Sequence, residues 1–138
     1  EVAEKVLAGT GKRPVYITGI DHRIESHQLG TRDLTSSMST RIAGEQAGVS
    51  KGKVDIAELH APFSHQEILL KEALGLDDNT VINPSGGPLA GNIFMSAGLD
   101  RIGAVATRIM NGEANRGVAH ATSGACLQQN LVAVLEGK

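Results

Sequence analysis

The feature that most constrains this chain is the alternation, through its middle, of short β-branched runs with stretches of helical period. Val54-Asp55-Ile56-Ala57-Glu58-Leu59 alternates apolar and polar residues as a strand does. Its end delivers His60 and Phe63 into a turn at Pro62. Ser64 to Leu74 then reads as a helix, with Ser64 expected as its cap, Glu67 completing a capping box and Gly75 stopping it. Val81-Ile82-Asn83 is a further short strand, running into the glycine-rich stretch Pro84 to Gly91. From about Phe94 to Met110, apolar residues recur at helical spacing through Leu99, Ile102, Val105, Ala106 and Ile109. Strands separated by helices argue for an α/β layer fold with a largely parallel sheet.

The flanks add to this frame. Glu1 to Ala8 has short helical periodicity ended by Gly9-Thr10-Gly11, and Pro14 to Ile20 is β-branched and alternating, a strand. His22 to Leu29 mixes charge with Ser and Gln and reads as a loop, and Thr35 to Gly48 reads as a helix. Val118 to His120 and Leu131 to Leu135 read as two closing strands around a Thr-Ser-Gly-rich turn. No helix separates them, so they are expected to pair antiparallel. At 138 residues the whole chain, 1–138, is expected to form one domain.

Composition removes several function classes. A net charge of −2 gives no electrostatic footprint for nucleic acid, and aromatic content of 2% leaves almost nothing for bases to stack on. No apolar run reaches the length of a membrane span. The start, Glu1 to Lys5, has neither the apolar core nor the cleavage site of a signal peptide, and a first residue other than Met suggests a fragment or a processed chain. The single cysteine forbids an internal disulfide and fits a reducing compartment, so a cytoplasmic location is expected. No pair of Cys or His residues has convincing ligand spacing, so no metal site is expected.

In α/β folds chemistry gathers in loops at strand ends, which makes three loops candidates. The first, Glu58 to Glu67, contains His60, which at a strand terminus can donate to a substrate carbonyl or exchange protons. A histidine there can equally do no more than close the turn. His65, in the first turn of the following helix, reads as exposed. The second loop, Asn83 to Asn92, is glycine-rich and opens a helix, an arrangement suited to an oxyanion or thioester oxygen. The alternative is structural: Asn92 caps the helix and the glycines turn the chain. It is neither a dinucleotide fingerprint nor a phosphate-binding Walker loop. The third loop, His120 to Asn130, holds a histidine, the one cysteine Cys126 and several amides. A lone cysteine is commonly a small buried hydrophobe, and a reactive one needs a basic or positive neighbour.

Taken in order, these strings resemble the C-terminal half of thiolases, particularly the branch of sterol-carrier-protein thiolases and archaeal acetoacetyl-CoA thiolases. The likeness runs through Pro14-Val15-Tyr16-Ile17-Thr18-Gly19 and then Glu58-Leu59-His60-Ala61-Pro62-Phe63-Ser64, which is similar to that branch's His-Asp-x-Phe-Ser motif. It continues through Asn83-Pro84-Ser85-Gly86-Gly87, the Gly91 to Gly98 loop and the glycine-containing turn before Val132-Ala133-Val134-Leu135-Glu136. The resemblance implies a thiolase-like C-terminal half, a mixed five-stranded sheet with flanking helices. It also implies an acyltransferase that condenses or thiolytically cleaves 3-oxoacyl-CoA and needs no cofactor beyond its coenzyme A thioester substrate. The family's nucleophilic cysteine belongs to an N-terminal half, which is therefore the expected partner. Oligomers, and a small acyl-CoA-binding protein with a zinc ribbon and an OB-like barrel, are further partners the branch suggests.

The same resemblance implies that His60 helps hold the thioester oxygen. Phe63, Gly86, Gly87 and Gly124 are then expected at the substrate. Two departures stand out. The family's Gly-His-Pro appears here as Gly91-Asn92-Ile93, and Asn92 can donate a hydrogen bond but cannot take a proton. The family's proton-transferring cysteine, aligned from Val132 to Glu136, falls on Gly124 rather than on Cys126. A His with an Asn at these two loops is the pairing of initiating ketoacyl synthases and chalcone synthases. A retro-aldolase or condensing synthase on the same fold, or a non-catalytic structural subunit, therefore stands as an alternative.

Overall fold

A sheet whose central strands are apolar on both sides has to be covered on both sides. The computed structural model, which describes residues 2–91 and 93–138, solves this with helices on each face. The strands are β1 (Val15–Ile24), β2 (Ile56–Leu59), β3 (Val81–Ile82), β4 (Arg116–Ser123) and β5 (Gln129–Gly137). The helices are α1 (Val2–Leu7), α2 (Met38–Ala47), α3 (Ser64–Ala73), α4 (Gly87–Ala90) and α5 (Ala97–Met110). The five strands lie in the order β1-β5-β4-β2-β3.

The chain is therefore α/β with a mixed sheet. β2 pairs parallel with β3 and β4, whereas β4 with β5 and β1 with β5 are antiparallel. The closing pair runs antiparallel, as its missing crossover requires. The expectation of a largely parallel sheet is corrected, because β1 joins the far edge by pairing antiparallel with β5. The reading of residues 22–29 as loop is corrected in part: β1 continues through His22, Arg23 and Ile24, which pair with Leu131, Asn130 and Gln129. An edge strand with one uncovered face tolerates such charged residues, which is why they read as loop.

One face of the sheet packs Ala57, Leu59, Val118, Val132 and Val134 against Ala43 and Ala47 of α2 and Leu70 of α3. The other packs Ile56, Ala119, Ala133 and Leu135 against Val105 and Ile109 of α5. The buried residues of α5, Ala97, Arg101, Val105 and Ile109, fall at every fourth position and so form one stripe. All of β2 is buried, including Glu58, although its alternating sequence would suit a half-exposed strand. α2 is shorter than Thr35 to Gly48, starting after Ser37, and Gly48 closes it in the left-handed region at φ +83°. Likewise α5 starts at Ala97, not Phe94. The cap of α3 is Phe63 and not Ser64: its N–H donates to Gln66 Oε1 at 3.3 Å.

Part of the α5 face stays uncovered. On β1, Ile17 and Ile20 pair with Leu135 and Ala133, so they share the α5 face, yet they are 52% and 56% exposed. Leu99, Phe94 and Met95 are also exposed at the start of α5 and in the segment before it. Among the described residues no helix is long and apolar enough to cross a membrane.

Gly19 sits where β1 shifts register, and a Cβ built there would lie 1.9 Å from the Ala47 carbonyl oxygen. The last turn of α2 rests on this bare backbone. Gly19→Ala is expected to cost about 1–3 kcal/mol through overpacking, read as a lower urea midpoint. An unchanged midpoint would show that α2 does not depend on this approach.

Candidate functional site

Because β3, β2 and β4 run parallel, their C-terminal ends open at the same edge of the sheet. All three candidate loops leave from that edge, the usual place for ligands in open α/β sheets.

The first loop begins with a tight turn. The Ala61 N–H donates to the Leu59 carbonyl at 3.0 Å, so His60 occupies the centre of a three-residue turn. Only 5% of His60 is exposed. The Thr122 N–H of β4 donates to His60 Nδ1 at 3.4 Å. A nitrogen that accepts a hydrogen bond holds a lone pair, so the hydrogen of this imidazole is on Nε2. Nε2 is buried and finds no hydrogen-bond partner among the described residues. The backbone closes the turn without the ring, whose Nδ1 instead ties the loop to β4. Phe63 is exposed and stacks on His65, with ring centroids 6.0 Å apart.

Asn83 ties the second loop to the first. Its Oδ1 accepts from the Leu59 N–H at 2.7 Å, immediately before His60, and its Nδ2 donates to Glu67 Oε2 at 2.6 Å. Glu67, read as a capping residue, serves here instead. Below the loop, the fully buried Glu58 accepts from the Ser85 N–H at 2.9 Å and from the Ser85 hydroxyl at 2.7 Å. Arg101 of α5, itself 3% exposed, donates from Nη1 to Glu58 Oε2 at 3.2 Å and to Ser85 Oγ at 3.3 Å. Asp100 takes its Nη2. One buried ion pair therefore joins β2, the glycine-rich loop and α5.

The glycines of this loop have a packing reason. Gly86 and Gly87 have φ of +91° and +60°, and side chains there would run into Ala90 and Asn83. Their conformation wraps the chain around the Asn83 side chain and into α4. Asn92 lies outside the described residues.

The third loop is shorter than its sequence reading, because β4 carries His120 and runs on to Ser123. Gly124, Cys126 and Leu127 all have positive φ, of +74°, +53° and +57°. Two non-glycine residues in the left-handed region need outside support. Arg32 supplies it by donating to the Ala125 and Cys126 carbonyls at 2.8 and 3.1 Å, and Asn130 Nδ2 donates to the Leu127 carbonyl at 2.7 Å. A side chain at Gly124 would meet Gln128. Cys126 is exposed and not a buried hydrophobe. It lines a small cavity of about 160 Å³ with His65, Gln66, Leu69 and Leu127, a set that does not include His60.

His120 is fully buried, and its Nε2 lies 2.9 Å from Asn130 Oδ1. Asn130 Nδ2 also donates to Ser39 Oγ at 2.7 Å, so its Oδ1 is the acceptor and His120 is protonated on Nε2. Burial, reinforced by the nearby His60, pushes the His120 pKa down to about 4, against the favourable bond to Asn130. His120 and Asn130 thus form a neutral brace beneath the third loop. Among the described residues, no three His, Cys, Asp or Glu side chains gather as a metal site.

Two outcomes follow for this framework. Arg101→Met leaves Glu58 buried without its cation and should lower the unfolding free energy by about 3–5 kcal/mol in urea titrations; a loss below about 1 kcal/mol would contradict a structural pair. For His120 the folded pKa lies below the unfolded value, so the unfolded chain takes the proton first. Its contribution is complete above the unfolded pKa and is lost as pH falls toward about 4, roughly 3 kcal/mol in all. His120→Gln should flatten that part of the stability–pH curve, and an undiminished slope would assign the effect elsewhere. Compared with known proteins, the chain matches no protein-family model and no curated protein.

Proposed function

We propose that this chain is a thiolase-like C-terminal half whose His60 holds the thioester oxygen of an acyl-CoA while enolate charge develops. The observation that carries this reading is the buried Nε2–H of His60, a donor for which no described residue supplies an acceptor, at the edge of the sheet where the parallel strands end. Leaving such a group unpaired costs about 1–3 kcal/mol, so a site that keeps one gains when a ligand oxygen arrives.

The chemistry asks for little more from this residue. Removing a proton from the carbon next to a thioester sends electron density onto the carbonyl oxygen, and an N–H held in place stabilises that charge without reorganising. Thr122 fixes the ring by occupying Nδ1, while the Asn83 bond to Leu59 fixes the backbone that bears it. Asn92, as the second donor, is part of the proposal by resemblance, as is the N-terminal half with its nucleophilic cysteine. The exposed Ile17 and Ile20 on the α5 face of the sheet support a partner layer of this kind, because sheet faces in layered folds are covered.

The reading is tested in the chain assembled with an N-terminal thiolase half. His60→Ala should lower condensation and thiolysis by about a hundredfold or more, through kcat rather than through loss of fold. Turnover near the unsubstituted rate, with circular dichroism unchanged, would sink the assignment.

A further inference from the structure

The two edges of the sheet are built differently. β3, at one edge, has only two residues, a length that offers another chain little to pair with. β1, at the other, has ten residues free of proline, and its outer side pairs with no described strand. From Gly19 to Ile24 its register against β5 is unbroken, the shift lying between Ile17 and Gly19. Within that stretch Ile20, His22 and Ile24 are exposed and pair with Ala133, Leu131 and Gln129, which puts them on the α5 face. Asp21 and Arg23 pair with Val132 and Asn130, on the α2 face.

We propose that this edge is the interface of a homodimer, in which β1 pairs antiparallel with β1 of a second copy and joins two five-stranded sheets into one. A two-fold axis normal to the sheet keeps every residue on its own face, so it passes between a residue and the same residue of the copy. An axis at Asp21 or Arg23 would set like charges directly opposite each other. An axis at Ile20 or Gly19 would draw the register shift into the pairing, and one at Ile24 would pair little of the unbroken stretch. An axis at His22 avoids all of these. It sets Asp21 opposite Arg23 of the second copy, and the reverse, on one face. On the other face it sets Ile20 opposite Ile24, with two imidazoles meeting at the centre. Within one chain Arg23 Nε already lies 2.6 Å from an Asp21 carboxylate oxygen, so both charges stand side by side on the strand and the copy brings each a second partner. Charges that repel a mismatched strand are self-complementary here. The pairing uses the strand's edge and leaves the α5 face open to a further layer, so it is independent of the acyl-CoA reading.

The test is the mass of the full chain in sedimentation equilibrium, above neutral pH so that imidazoles carry no charge. The chain should be dimeric at about 0.1 mM. Asp21→Arg and Arg23→Glu should each weaken the dimer by about tenfold or more, because like charges then face across the axis. An equimolar mixture of these two variants should dimerise again, since the mixed pair sets a base opposite an acid at both positions. Ile24→Lys, at an exposed position outside the ion pair, should also give a monomer. Circular dichroism confirms that each variant is folded. A parent chain that is monomeric at that concentration, a dimer indifferent to all three substitutions, or folded charge variants that stay monomeric when mixed would each overturn the proposal.

Discussion

The carboxylate of Glu58 is the point on which the arrangement of this edge depends. It is fully buried in β2, and both of its oxygens are engaged, by the Ser85 N–H and by the Ser85 hydroxyl together with Arg101. A buried carboxylate must be paired or neutral, so the buried position of β2 depends on the glycine-rich loop and α5 that supply its partners. His60 is only two residues further along the chain. The electrostatic requirement of one strand residue therefore fixes the relation between that histidine and the loop facing it.

Above this base, the three loops are braced in different ways. The first two are joined through Asn83, whose amide spans the Leu59 backbone and Glu67. The third is braced from beneath by His120, Asn130 and Ser39, and from outside by Arg32. His60 presents a buried N–H, whereas Cys126 looks into the recess at the start of α3. A single site embracing His60 and Cys126 is the simplest reading of the sequence. The structure does not bring the two together: the cavity that Cys126 lines does not include His60.

The strands, the helices and the three loops were legible because hydrophobic period and turn residues are local properties. Both β2 and α3 lie where their pattern puts them, within a residue or two. The end of β1 was not legible, since His22 and Arg23 gain strand structure only by pairing with β5, more than a hundred residues away. Glu58 looked like an outward-facing polar residue, because nothing local announces Arg101, 43 positions later. The same holds for Arg32, which reaches Ala125 from 93 positions away. His60 was singled out from its position at a strand end, but its hydrogen location depends on the Thr122 amide of another strand. The role of Gln66 was hidden behind a capping box assigned one residue too far along.

The proposed role of His60 depends on the protonation pattern of its ring. Long-range proton–nitrogen correlation spectra of the selectively labelled chain at neutral pH report which imidazole nitrogen bears the hydrogen. The structure requires a lone pair on Nδ1, facing the Thr122 N–H, and a hydrogen on Nε2 that meets no acceptor among the described residues; the proposed role gives that hydrogen to a ligand oxygen. That pattern, with the Nε2–H signal moving when an acyl thioester is bound, is the predicted result. A hydrogen on Nδ1 would leave no donor at Nε2 and would contradict the oxygen-binding role at its source.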